Sequence, residues 1–489
     1  MVKKILIIFL VFQFASIVVY PQEIQIDKSW PLGLSGSGNG RKMCNFNFAN
    51  GIPVVDTVFR NQGLYLTVGS VSDSSGRILF SSNGCFLINK DNDTLDNGTG
   101  LNPGNCTGIY CPDGIPLFDG NLVLPDPGSI NRYYLFHQTC DPGSVYPREL
   151  YYSLIDLTLD SGRGSVINKN TIALTGNLID GFLTATKHAN GRDWWIVQHE
   201  LYSDRFYFFL LTPVGVLGPY IQNIGPIFNS VGAGDARFST DGNFLVSGNQ
   251  YGRLRVFNFD RCSGTIYGQQ DLIYPYGNQG AWVEFSANSH YIYLVSYQHI
   301  IQYDLLSSNI DSSKTVVAAY DGFMDSSRVT YFFKPQLAID GKIYISCWGG
   351  LPYFHVIEYP DLLGLACQVD QHAIHLPCNI AVPPNFPNYR LGEISGTSCD
   401  SLVTQTQFVS TELREIKLFP NPSNGIIRIK TDSNIELKKM ILVNCMGEKI
   451  IERKVIDTYL NISSFPPGIY FLSIEDNRGN WFQQKIIKD

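Results

Sequence analysis

Residues 237–260 read RFSTDGNFLVSGNQYGRLRVFNFD, and Asp241-Gly242 divides two runs of alternating apolar residues. Asp-Gly in that setting is the strongest short-range signal for a β-hairpin. The same order of strand, turn and aromatic-rich strand returns in EFSANSHYIYLVSYQHIIQYDL (284–305), at Asn288-Ser289. It returns again in QLAIDGKIYISCWGGLPYFHVIEYPD (336–361), at Asp340-Gly341. Towards the N-terminus, Asn190-Gly191, Pro127-Gly128 and Ser75-Gly76 mark three further units. The turn signals lie about fifty residues apart, a period in which about four strands form a sheet that must stack on its neighbours to bury its faces. That pattern predicts an all-β chain whose residues 21–394 form a seven-bladed β-propeller, with six blades as the alternative. Stacked sandwiches would not explain the even repeat. The seventh unit is expected to combine MCNFNF (43–48) with a strand near NYRLGE (388–393).

Composition agrees with this class and narrows the partners. Of 489 residues, 44% are hydrophobic, 13% aromatic and 16% charged, with 45 glycines. Aromatic residues suit pleated surfaces, and Gly supplies turns. Lys and Arg number 36 against 43 Asp and Glu, and no basic run tracks a phosphate backbone, which argues against nucleic acid. Residues 1–20 have Lys3, Lys4 and then an apolar run, the layout of a secretory signal peptide; a membrane anchor is the rival, disfavoured by the short run. Eleven cysteines in an exported chain permit disulfides, and short loops favour the pairs Cys106–Cys111 and Cys367–Cys378. No C-x-x-C occurs, which disfavours zinc, and Cys445 reads as a buried small hydrophobe.

The stretch HANGRDWWIVQHE (188–200) has the residue content of an active site. In the propeller register, however, Asn190-Gly191 is a turn, His188 faces Asp193, and His199 lies roughly 20 Å further along its strand. Trp194 and Trp195 then point to opposite neighbours as packing residues, and Arg192 and Asp193 tie the turn. Only His199 and Glu200 reach the face where loops gather.

The same positions in other units give a candidate collar. It comprises His199, Glu200, Arg205, Asp235, Arg237, Gln250, Arg253, Trp282, Glu284, Gln298, Trp348 and Tyr353. Mixed charge with aromatic rings is how glycans and peptides are gripped, so a glycan- or protein-binding module is expected. The alternative is a hydrolase or lactonase with Glu284 or Glu200 as base and His199 as its partner; a surface structural component is a third class. No cofactor is expected. DNDTLDNG (91–98) could take calcium, but Leu95 interrupts the ligand spacing and an Asx-rich turn is favoured.

After a polar stretch at 395–412, residues 413–489 alternate apolar positions between Pro, Asn and Gly turns, the pattern of a small Ig-like β-sandwich. Pro420-Asn421-Pro422 with Gly425, then Gly468, Tyr470 and Leu472, then Lys485 and Lys488, resemble the type A sorting domain of the type IX secretion system. The resemblance implies export through the periplasm, recognition by the secretion machinery and its sortase, and release or attachment to surface lipopolysaccharide. FSTDGNFLVSG (238–248) is similar to the repeats of YVTN and tryptophan-aspartate propellers. SDSSGRILFSSNG, RYYLFH, LYYSLID, HANGRDWW and DGKIYIS, in that order, resemble exported propeller proteins of Bacteroidota. Those likenesses imply architecture and location, and no chemistry.

Overall fold

The computed structural model describes residues 26–34, 41–140, 146–227, 233–249, 253–276, 280–397, 399, 417–430, 437–444, 449–454, 458–477 and 481–488. The expected signal peptide, most of the polar stretch 395–412, Gln250 and Cys445 lie outside the described residues. The chain divides into two compact units, Met1–Glu393 and Ile394–Asp489.

Strands of the first unit fall into successive small antiparallel sheets in chain order. Sheet 1 holds Ser29–Leu32, Arg41–Asn47 and Val54–Arg60, and sheet 2 holds Gly69–Ser72, Ile78–Ser82 and Leu87–Asn89. Sheet 3 holds Asn121–Pro125, Arg132–Cys140, Pro147–Asp156 and Ser165–Thr175. Sheet 4 holds Thr184–Lys187, Trp194–His199, Arg205–Thr212 and Gly215–Asn223; sheet 5 holds Gly234–Phe238, Phe244–Asn249, Arg253–Asp260 and Thr265–Ile273. Sheet 6 holds Trp282–Phe285, Tyr291–Val295, His299–Asp304 and Thr315–Ala319. A hairpin of Met324–Asp325 and Arg328–Val329 follows, and sheet 7 holds Phe332–Leu337, Ile343–Cys347, Tyr353–Ile357 and Val369–His375.

The repeated turn explains the period. The N–H groups of Gly242, Ser289 and Gly341 donate to the carbonyls of Ser239, Ser286 and Ala338 at 2.8, 3.0 and 3.0 Å. Each preceding Asx side chain, Asp241, Asn288 or Asp340, accepts from the backbone N–H two residues on, at 3.1, 2.9 and 3.1 Å. Gly242 takes φ +74°, and a Cβ there would meet Thr186 and Arg261 at 2.8 Å, so the turn needs glycine for both conformation and space.

The sheets pack face to face through aromatic layers. Trp194 is fully buried and meets Tyr389 edge-on at 5.7 Å, while Trp195 on the opposite face packs on Tyr220 and His188. Trp30 of sheet 1 packs against Tyr344 of sheet 7 at 5.8 Å, and Phe46 against the same ring at 5.0 Å, so the first and last sheets share a core.

That closure differs from the expected one. Residues 43–48 belong to a sheet built only from N-terminal strands, and residues 388–393 form no strand of a ladder. The preceding segment IAVPPNFP (380–387) is buried throughout, and Pro383, Pro384 and Pro387 cannot donate to a ladder. It runs instead where the first strands converge. The Asn385 amide donates to the carbonyls of Asn121 and Leu183 at 3.2 and 2.9 Å, its oxygen accepts from Arg237 at 3.3 Å, and its N–H donates to Val68. Gln336 of sheet 7 donates to the Phe386 carbonyl and Tyr389 to the Val123 carbonyl. One short segment thus satisfies polar groups from sheets 3, 5 and 7 and from the lead-ins to sheets 2 and 4.

Both expected disulfides are replaced by others. Cys85 pairs with Cys111, Cys106 with Cys140 and Cys44 with Cys378. Cys106 lies in the first turn of the helix Asn105–Tyr110 and Cys111 caps its end, so a rise of about 1.5 Å per residue separates them. Cys367 and Cys378 flank the strand Val369–His375, which at roughly 3.3 Å per residue holds them far beyond bonding reach. Cys367 is a buried thiol that burial raises to about 11.

The second unit has two antiparallel sheets around Ile427, Ile429, Met440, Leu442, Leu460, Tyr470, Leu472 and Ile486. Asn421 brackets the last strand: its amide donates to the Lys485 carbonyl at 2.6 Å and its oxygen accepts from Ile487 N–H at 2.8 Å. A Cβ at Gly425 would collide with the Ser463 hydroxyl, and the Tyr470 hydroxyl donates to the Pro466 carbonyl.

Candidate functional site

The expected collar separates into a sealed centre and an exposed rim. In the centre, Arg237 lies 3.1 Å from Asp119, 3.6 Å from Asp235 and 3.8 Å from Glu284. Lys334 of sheet 7 lies 2.7 Å from both Asp119 and Asp235. The carboxylates also bond across sheets: Asp235 accepts from Val283 N–H at 2.8 Å and Glu284 from Leu337 N–H at 3.0 Å. All of these side chains are buried.

Their proton affinities follow from that burial. Desolvation pushes Asp119 up, but the Arg237 and Lys334 charges outweigh it and hold the carboxyl below its ordinary range. At Glu284 desolvation wins over Arg237 and the group is raised; Asp235 is raised in the same way. Burial, with the Asp119 charge beside it, raises the Asp180 carboxyl well above its ordinary value. These groups converge as a catalytic site would. Yet each charged partner is engaged by another, and segment 380–387 occupies the convergence.

His199 is not part of that cluster and is not presented to solvent. It is fully buried between Phe182 and Phe206, its ring nitrogen meets the Glu200 carbonyl at 2.7 Å, and burial lowers it to about 3. Strand alternation placed it near the loop face; Phe182, arriving from the lead-in to the first strand of sheet 4, covers it. Glu200 does reach the surface, where it pairs with Arg205 at 3.2 Å and accepts from the Tyr207 hydroxyl. Arg253 starts a strand, and its side chain lies outside the described residues.

The rim gathers the aromatic members of the collar. Trp282 is buried beneath Phe333 and Tyr297, with ring centroids 4.5 and 5.3 Å away. Above it, Trp348 stacks edge-on against Tyr297 at 4.9 Å and Phe333 at 5.1 Å and stays 45% exposed. Gln298 donates to the Tyr331 hydroxyl at 3.2 Å, and Tyr331 meets Tyr320 at 4.8 Å. Tyr353 continues the surface through Phe323 at 5.8 Å and His375 at 4.9 Å. Tyr297, Tyr320, Tyr331 and Phe323 join this surface without standing among the expected collar residues. Their signal was an aromatic residue inside an otherwise polar loop, as in DGFMDSSR (321–328).

The acidic stretch at 91–98 forms Asx turns: Asn89 accepts from Asp91 and Asp93 N–H groups, and Asp96 accepts from the Ser165 hydroxyl. Among the described residues no group of three or more His, Cys, Asp or Glu side chains stands together to hold a metal ion. Among them, too, no helix is long and apolar enough to cross a membrane.

No curated protein matches this chain. Among solved structures it is similar to a protein proposed to be a 6-phosphogluconolactonase of Bacteroides uniformis, at 14% identity and a TM-score of 0.43 over 72% of this chain and 97% of that one. It is similar to the periplasmic gluconolactonase of Pseudomonas aeruginosa, at 13% identity and 0.39 over 73% and 97%. PorZ, a surface component of the type IX secretion system of Porphyromonas gingivalis, aligns at 10% identity and 0.31 over 94% and 75%. At these values the likenesses say nothing of chemistry. Residues 417–489 match the family described as secretion system C-terminal sorting domain, which supports a chain carried by the type IX machinery to the cell surface or outside, a location its disulfides suit.

Proposed function

We propose that the first unit is a seven-bladed β-propeller that works at the cell surface or in the medium as a binding module for glycan or peptide. The second unit, read as an Ig-like sandwich, serves export and surface attachment. Ring closure is supported by the shared core of sheets 1 and 7 and by one segment bonding to several sheets at once. The observation that carries the binding reading is the continuous aromatic rim around Trp348, with Gln298 and Tyr331 beside it as polar groups. Rings stack on the apolar faces of sugars or prolines while polar neighbours fix orientation. The hydrolase alternative is weakened, because Glu284 is buried in ion pairs, His199 lies in an aromatic pocket and Glu200 is paired with Arg205. A glycan and peptide array probed with the secreted chain and with Trp348→Ala tests this. Binding that survives the substitution unchanged removes the rim as the site.

A further inference from the structure

A cavity of about 450 Å³ opens between sheets 1 and 2, remote in sequence from the aromatic rim. At its wall sits Arg60, the last residue of Val54–Arg60 and only 7% exposed. Its guanidinium donates to the Asn45 side chain, its Nε has no hydrogen-bond partner, and no carboxylate pairs with it among the described residues. Burial alone acts on this group, lowering it to about 10. Arg237, equally buried, shows the contrast: three carboxylates surround it and hold its proton more tightly. A buried guanidinium is costly unless paired with an anion, and a bidentate oxyanion fits its fork.

The remaining walls describe the rest of such a ligand. Arg77 and Lys90 add positive charge, so three cations face the two carboxylates Asp56 and Asp91, and Asp91 is already taken by Arg77 at 3.3 Å. The Asn45 and Asn47 side chains supply amide groups, and Phe59 is 63% exposed at the lip. We propose that this cavity binds an acidic saccharide, a polyhydroxyl ring bearing a carboxylate, with Arg60 taking the carboxylate, the amides meeting hydroxyls and Phe59 flanking the ring. The site is separate from the aromatic rim and stands or falls without it.

The test is titration of the full secreted chain with methyl glucuronide, with methyl glucoside and inorganic sulfate as comparison probes, followed by NMR. Methyl glucuronide should saturate, with methyl glucoside at least about tenfold weaker, as loss of a charged hydrogen bond predicts. Arg60→Met should weaken glucuronide binding at least about tenfold with no loss of melting temperature, since it removes an unpaired buried charge. Arg77→Gln, exposed and safe for folding, should weaken it too if Arg60→Met does not fold. Trp348→Ala should leave it unchanged. Equal binding of glucoside and glucuronide, displacement by sulfate at equal concentration, or full affinity in Arg60→Met or Arg77→Gln would each overturn the proposal.

Discussion

The centre of the first unit and its aromatic rim are built from different positions of the same small sheets, and they differ in burial. Asp235, Arg237 and Glu284 lie on the first strands of their sheets, which converge, so they meet one another, Lys334 and segment 380–387. Trp348 and Gln298 lie in the loops after the second strands of their sheets, and Tyr353 opens a third strand. Magnitude separates the two. Breaking a buried ion network costs about 3–5 kcal/mol, whereas trimming a half-exposed ring costs within about 0.5 kcal/mol of stability. Charged residues at the centre are therefore bound into the fold, whereas the rim residues can change at little cost to stability.

The largest effect expected is at the centre. Arg237→Met leaves Asp119 and Asp235 sharing Lys334 and takes from Glu284 the cation it pairs with, and should lower unfolding free energy by about 3–5 kcal/mol in urea titration. An unchanged midpoint would dissolve the distinction between centre and rim. Trp194→Ala, which empties the space against Tyr389, should cost a similar amount, about 3–5 kcal/mol, and appear as an earlier melt.

His199 sharpens the comparison through pH. Its folded value of about 3 lies below the ordinary 6.5, so the unfolded chain binds a proton there that the folded chain does not. The stability this group contributes is full above pH 6.5 and lost as pH falls towards 3, at about 1.4 kcal/mol per pH unit. His199→Asn, which can still donate to the Glu200 carbonyl, should remove one proton's worth of that slope when denaturation curves of the two chains are compared from pH 7 to 4. Equal slopes would mean that His199 is open to solvent. A smaller effect is expected in the second unit, where Asn421→Ala should cost about 1 kcal/mol by freeing the last strand, read as faster amide exchange at Ile487.

Sheets 5, 6 and 7 were legible because the first turn of each carries an Asx side chain accepting from the backbone, which fixes a short motif in sequence. The central segment was not, because Ile380 to Tyr389 has the prolines of a linker and its burial depends on strands far away in the chain. Cysteine pairing was hidden for a related reason: closeness in sequence becomes distance once a strand or helix stands between, as for Cys367 and Cys378. Strand alternation puts Trp348 after the second strand, where it lies in a turn and stays 45% exposed. It placed His199 at the same level but could not show Phe182 closing over it.

The most direct measurement pairs binding with melting for Trp348→Ala against the unsubstituted chain, using a ligand identified on the array. The account predicts at least about a tenfold loss of affinity with the melting temperature unchanged, because the ring is 45% exposed and its removal opens no cavity. Retained affinity in Trp348→Ala, together with loss in Glu284→Gln at an unchanged melting temperature, would contradict it and return the functional site to the centre.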